Sequence, residues 1–185
     1  DQKAASSQFT ADRVDLAALA AIATRLPLPD ASRKLLLRLQ PAGQLQDLRA
    51  DWQGAPPPRD GSAPADALAA AWQPERYRAS GKLMALTLAG EPRAQAPGEH
   101  ILPGRPGVKG ASADFELNQD GGTARLVIDN GAVDLPGVFA ESLVPMQRLQ
   151  TEARWRIAGE RIDAWFEKLS LANADTEGTG TVHWH

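Results

Sequence analysis

Residues 147–180 read QRLQTEARWRIAGERIDAWFEKLSLANADTEGTG. Leu149, Thr151, Ala153, Trp155 and Ile157 take alternate positions, and Arg148, Gln150, Glu152, Arg154 and Arg156 fill the places between them. Successive side chains of a β-strand point to opposite faces, so a period of two predicts a strand with one apolar and one wet side. Ala158-Gly159-Glu160 turns the chain, and Ile162, Ala164 and Phe166 resume the alternation on the way back. Leu169 and Leu171 are out of phase by one residue. A bulge near Glu167 or Lys168 restores their facing, and bulges curve a sheet. Gly178 and Gly180, at alternate positions before Val182 and Trp184, let such a sheet coil or another group approach closely.

The same period extends upstream. GASADFELNQ and TARLVIDN flank Asp120-Gly121-Gly122, a hairpin signal because these residues tolerate the positive backbone angles of tight turns. Asn130-Gly131 reads as a second tight turn before AVDLP, and VFAESLVPM as an irregular crossing that ends at Pro145. QLQDLRADWQ places Leu48, Ala50 and Trp52 on one face and Asp47, Arg49 and Asp51 on the other. Arg76 to Leu88 reads as a further strand. Between these lie GAPPPRDGSAP, followed by ADALAAAW with one or two helical turns, and EPRAQAPGEHILPGRPG. Both connections are rich in proline, which removes ladder donors, and in glycine.

Only the beginning of the chain carries a helical period. Asp15 stands at an N-cap position before LAALAAIATRL, where Leu16, Leu19, Ala20, Ala23 and Leu26 follow helical spacing. A second helix opens near Pro29 and Asp30, carries Leu35, Leu36 and Leu39 as its stripe, and ends at Pro41 and Gly43. The division is a lead-in over 1–13 with a short strand around Phe9, a helical pair over 14–42, and a curved antiparallel sheet over 43–185 interrupted by Pro/Gly-rich insertions at 54–74 and 91–107. The expected fold class is mostly β with α: a groove-like antiparallel meander with two short N-terminal helices at one end or across one face.

Composition narrows the function. The 185 residues suffice for one domain; 20 basic and 23 acidic residues give a net charge of −3, with no run of like charge to track a phosphate backbone, so nucleic acid is not an expected partner. The absence of cysteine removes disulfides, thiolate chemistry and Cys-type zinc sites. VDLAALAAIATRLPLP breaks at Arg25, Pro27 and Pro29, well short of the roughly 18 apolar residues a membrane-spanning helix needs. No basic-then-apolar leader opens the chain, and GTVHWH ends it in mid-strand, as expected of part of a larger protein.

No nucleophile elbow, phosphate loop, dinucleotide fingerprint or zinc-protease motif occurs. His183 and His185 would share a strand face and could hold a metal together, but no third ligand stands near them in sequence. His100 lies in a Pro/Gly loop and reads as solvated. Asp129, Asp134, Glu152, Asp163 and Glu167 include enough carboxylates for glycosidase chemistry, yet most alternate with apolar residues as a wet sheet face does. Arg148, Arg154 and Arg156 could face anionic lipid heads, although the interspersed Glu152 favours plain solubility. Trp52, Phe115, Trp155, Phe166 and Trp184 are first of all core formers. Where helices leave part of such a face uncovered, it must meet another repeat, a partner or a lipid chain.

The elbow LPLPDASRK, then PGVKGASADFELNQDGG, DLPGVFAESLVP followed by an RW strand, and LANADTEGTG together resemble the central region of the YhdP family of AsmA-like proteins, from about Val14 to Thr181. The resemblance implies a segment of a large Gram-negative envelope protein, held in the inner membrane by a helix outside this segment and extending through the periplasm. It also implies a curved sheet whose hydrophobic groove carries phospholipids toward the outer membrane and maintains its barrier. Phospholipid acyl chains and neighbouring segments of the same protein are then the expected partners, with self-association through exposed strand edges as a further expectation. No catalytic residue, metal or cofactor is implied. The groove candidates are Phe115, Leu117, Leu126, Ile128, Leu149, Ala153, Trp155, Ile157, Ile162 and Phe166. The rival reading is a structural or protein-binding β module that docks neighbouring repeats or an envelope partner.

Overall fold

Eight strands lie side by side in the order in which they occur in the chain, each antiparallel to the next. They are β1 (Ser6–Asp15), β2 (Ala42–Gln53), β3 (Arg76–Leu88), β4 (Gly107–Asn118), β5 (Gly121–Asp134), β6 (Leu143–Ala158), β7 (Arg161–Ala172) and β8 (Glu177–Trp184). The computed structural model describes residues 6–22, 30–54, 76–93, 103–159 and 161–184. The helical turns read in ADALAAAW, the ends of the helical stripe at Ala23 and Leu26, and His100 and His185 lie outside the described residues.

The fold is mostly β, an open antiparallel meander with few helices. Residues read as a lead-in form β1, which pairs with β2 from Ser6↔Gln53 to Asp15↔Gln44. Both helices, α1 (Leu16–Ile22) and α2 (Asp30–Leu39), therefore lie between the first two strands rather than ahead of the sheet. Asp15 caps α1, its Oδ1 accepting the Ala18 N–H at 2.8 Å. The end of α2 is tied to the sheet where Ala89 N–H donates to the Leu39 carbonyl at 2.9 Å.

Local chemistry sets the turns. Gln119 and Asp120 close the β4–β5 hairpin, with Asn118 Oδ1 accepting the Asp120 N–H at 2.8 Å. Gly159, at φ +64°, turns β6 into β7. Asn173 closes β7–β8, its Oδ1 accepting from Asp175 and Thr176 N–H at 3.0 and 2.7 Å, so NADT is a turn within the stretch read as a source of small strand residues.

One expected turn is a strand interior. Asn130-Gly131 lies within β5, whose register against β6 runs unbroken from Asp129↔Arg148 to Gly131↔Met146. Asn130 does adopt a positive φ, +51°, but the long β6 pairs on both sides of it, so the Asn-Gly pair kinks the strand instead of reversing it. Pro145 likewise falls inside β6, opposite Ala132, and the crossing ends earlier, where Leu135 N–H meets the Ser142 carbonyl.

The phase slip in β7 is a bulge at the expected place. The register shifts between Phe166 and Leu169, and Lys168 has φ +50°. Similar shifts occur at Gln46/Arg49, Leu83/Leu86 and Lys109/Ala111, where Asp47, Ala85 and Gly110 have positive φ. Each bulge bends its strand and increases the local twist.

The packed core sits toward one end of the strands. Leu16 of α1 joins Leu86, Ala111, Ile128 and Met146, and Leu45, Leu83, Leu126, Val144 and Leu149 pack around them.

Candidate functional site

The register places every groove candidate on one face. Leu117, Gly122, Trp155, Ala164 and Trp184 form one cross-strand row; Phe115, Ala124, Ala153, Phe166 and Val182 form the next. Ile128 and Leu149 form a third with Leu171, Leu126 stands between the second and third rows, and Ile157 opposes Ile162 at the hairpin end. Along β6 the burial follows the sequence period: Leu149 to Ile157 are buried or half-buried at alternate positions, and Arg148 to Arg156 between them are exposed.

Burial separates these candidates into two groups. Ile128 is fully buried, and Leu126 and Leu149 pack against its cluster, so these three belong to the packed core. Phe115, Leu117, Ala153, Trp155, Ile157 and Phe166 are half-buried, and Ile162 is 43% exposed. α1 packs on β1 and β2, and among the described residues no helix packs over this second group, which forms a partly exposed apolar surface.

Two details hold that surface in shape. The Trp155 indole lies over Gly122, where an added Cβ would stand 2.5 Å from Cζ2; only a missing side chain admits the ring. Thr151 is the polar member of the row on β6. It is buried, and its hydroxyl donates to the Glu167 carbonyl at 3.0 Å, satisfying a backbone group beside the β7 bulge.

The opposite face is a lattice of charge. Lys82, Asp114, Arg125 and Glu152 alternate in sign across β3 to β6. Lys82 approaches Asp47 at 3.5 Å, Arg154 approaches Glu167 at 3.8 Å, and Lys168 pairs with Glu152 at 2.9 Å. An open depression of about 900 Å³ lies on this charged face over β2 to β7, and of the groove candidates only Phe115 and Ala153 border it. Glu152 and Glu167 are register partners there, each with a cation, while Asp163 is held by Arg161 at 3.1 Å. Among the described residues no cluster of three or more His, Cys, Asp or Glu is placed to hold a metal.

The sequence reading passed over Trp165. It stands on the charged face, with the Arg154 guanidinium 4.8 Å from its ring centroid and His183 stacked on it at 5.0 Å and 8°. The turn at Gly159 fixes the pairing of Arg154 with Trp165, so the signal was present in the spacing. At the far end of the strands, Arg38 of α2 pairs with Glu91, and Arg105 Nη2 lies 3.3 Å from the same carboxylate. The hydrogen bond from Arg38 holds the Glu91 carboxyl below the usual carboxylate range and raises Arg38 in return.

What the residues offer is a two-sided sheet, apolar and open on one side, charged on the other. No curated protein and no solved structure matches the chain. The family model described as YhdP protein matches residues 1–184. The chain therefore belongs to the YhdP family of AsmA-like envelope proteins.

Proposed function

We propose that this chain is a non-enzymatic segment of a periplasmic, inner-membrane-anchored protein, and that its apolar sheet face forms part of a hydrophobic groove for phospholipid transport between the inner and outer membranes, supporting the outer-membrane barrier. The observation that carries this reading is the continuity of the two apolar rows across β4 to β8, on which no helix packs among the described residues. An acyl chain laid along such rows gains about 0.8 kcal/mol per buried CH2, while its head group stays solvated. Transport of this kind makes and breaks no bond, so it calls for no catalytic group. Family membership supports an envelope protein, and the lipid cargo is the step proposed on top of it.

Tryptophan provides a face-resolved test, because Trp155 lies on the apolar side and Trp165 on the charged side. Variants retaining one or the other as the sole tryptophan are mixed with phospholipid brominated in its acyl chains, which quenches indole on contact. The groove reading expects quenching of Trp155 and little of Trp165. Equal quenching of both, or of neither, contradicts it and favours a module that docks protein on its apolar face.

A further inference from the structure

We propose that Arg154 and Arg156, with Trp165, form a binding site for a phosphate-type oxyanion on the charged face of the sheet. The two arginines occupy alternate positions of β6, so their guanidinium groups leave the same side from Cα atoms roughly 7 Å apart. Between them and the β4–β5 hairpin lies an open depression of about 530 Å³, bordered also by Trp165, Trp155, Thr123, Asn118 and Asp120. Gly121, opposite Arg156, contributes no side chain to obstruct it.

The site is partly preorganised. The Arg154 guanidinium lies 4.8 Å from the Trp165 ring centroid, and His183 stacks on the same ring, which restrains the guanidinium beside the depression. The neighbouring carboxylates are engaged: Glu167 with Arg154 at 3.8 Å, Asp163 with Arg161 at 3.1 Å, Glu152 with Lys168 at 2.9 Å, and Asp120 with the Gln119 amide at 3.0 Å. Arg156 stands across from Asp163 in the β6–β7 register and, among the described residues, forms no hydrogen bond or ion pair. A carboxylate presents two oxygens in one plane and suits a single guanidinium. A phosphate presents oxygens in several directions and can meet both arginines at once.

The phosphate can belong to a lipid head group or to a soluble phosphate, and the same chemistry recognises both. The two arginines stand on the face opposite the groove, and because Trp155 also borders the depression, the two readings are separated by a Phe166 variant, which tests the groove, and an Arg156 variant, which tests the anion site.

The test follows the arginine Nε–H and Trp165 indole N–H resonances of the full chain during titration with inorganic phosphate at constant ionic strength in chloride. Saturable shifts are expected, weakened at least about tenfold by Arg156→Gln, which removes charge-assisted hydrogen bonds. Arg156→Lys should recover only part, because it keeps charge but loses the fork. Arg148→Gln, on the same face but outside the depression, should bind like the parent. Co-sedimentation with phosphatidylglycerol vesicles, abolished by Arg156→Gln, would assign the phosphate to a head group; saturable binding of free phosphate without it would assign a soluble one. The proposal is overturned if neither occurs, or if Arg148→Gln loses as much as Arg156→Gln while all variants retain the parent's thermal transition.

Discussion

Ile128 and Trp155 share one face of the sheet and belong to different environments. Ile128 is fully buried in one cluster with Leu16, Leu86, Ala111 and Met146, so Ile128→Ala should leave a cavity and cost about 2–5 kcal/mol, measured by urea denaturation. Trp155 lies half-open over Gly122, so a charge placed there remains in reach of water. Trp155→Glu is expected to destabilise the chain by only about 1–2 kcal/mol while abolishing recovery of bound lipid. A loss as large as that of Ile128→Ala would make Trp155 sealed core. The alternation from Leu149 to Ile157 revealed the face of each residue, because the side-chain period of a strand is a local property. It could not tell Ile128 from Trp155, since their difference depends on residues of other strands, such as Leu86, Ala111 and Met146, that gather in the cluster of Ile128. Trp165 escaped notice for a related reason: its partners sit on two neighbouring strands, and only the pairing of those strands brings Arg154 and His183 to it.

At the scale of the elements, backbone strain and one ion-pair cluster set the shape. Ala85 adopts φ +51° at an exposed bulge, a conformation that costs a residue with a Cβ roughly 1–2 kcal/mol. Ala85→Gly should therefore raise stability by about 0.5 kcal/mol after the entropy cost of glycine is set against the relief, read as a small upward shift of the thermal midpoint. The Arg38 to Glu91 pair holds the end of α2 against the β3–β4 connection. Because the folded Glu91 carboxyl ionises at lower pH than in an unfolded chain, its contribution is complete above the ordinary glutamate range near about 4.3 and is lost as pH falls through the lowered folded value. Hydrogen exchange at Ala89, whose N–H is bonded to Leu39, should accelerate across that acid window, relative to the Ile128 amide, and Arg38→Ala should remove the step. The bulge at Lys168 was legible because two leucines fell out of phase. The kink at Asn130 was not, since the same Asn-Gly pair supports a positive φ in a turn and in a bent strand, and only the length of β6 decides between them.

For the molecule as a whole, the distribution of packing is the functional statement. Apolar side chains that would close a core in an ordinary sandwich are gathered in one cluster toward one end, and the rows from Leu117 to Trp184 and from Phe115 to Val182 continue beyond it with no helix of the described residues packed on them. β1 and β8 form the edges of the described sheet, with unpaired backbone groups that invite another strand, and self-association should therefore depend on residues of β8 such as Val182 and Trp184. The strand order was readable because each strand pairs with its neighbour in sequence. The openness of the apolar face was not, because the sequence shows an apolar stripe without showing what covers it. The central claim is that this stripe carries lipid, and native mass spectrometry with lipid extraction, on the chain produced in the periplasm together with its neighbouring strands, tests it most directly. The account predicts co-purified phospholipid that disappears when charges are placed at Ala153, Trp155 and Ile157, with the fold retained. A folded, lipid-free protein with these apolar rows intact would contradict it.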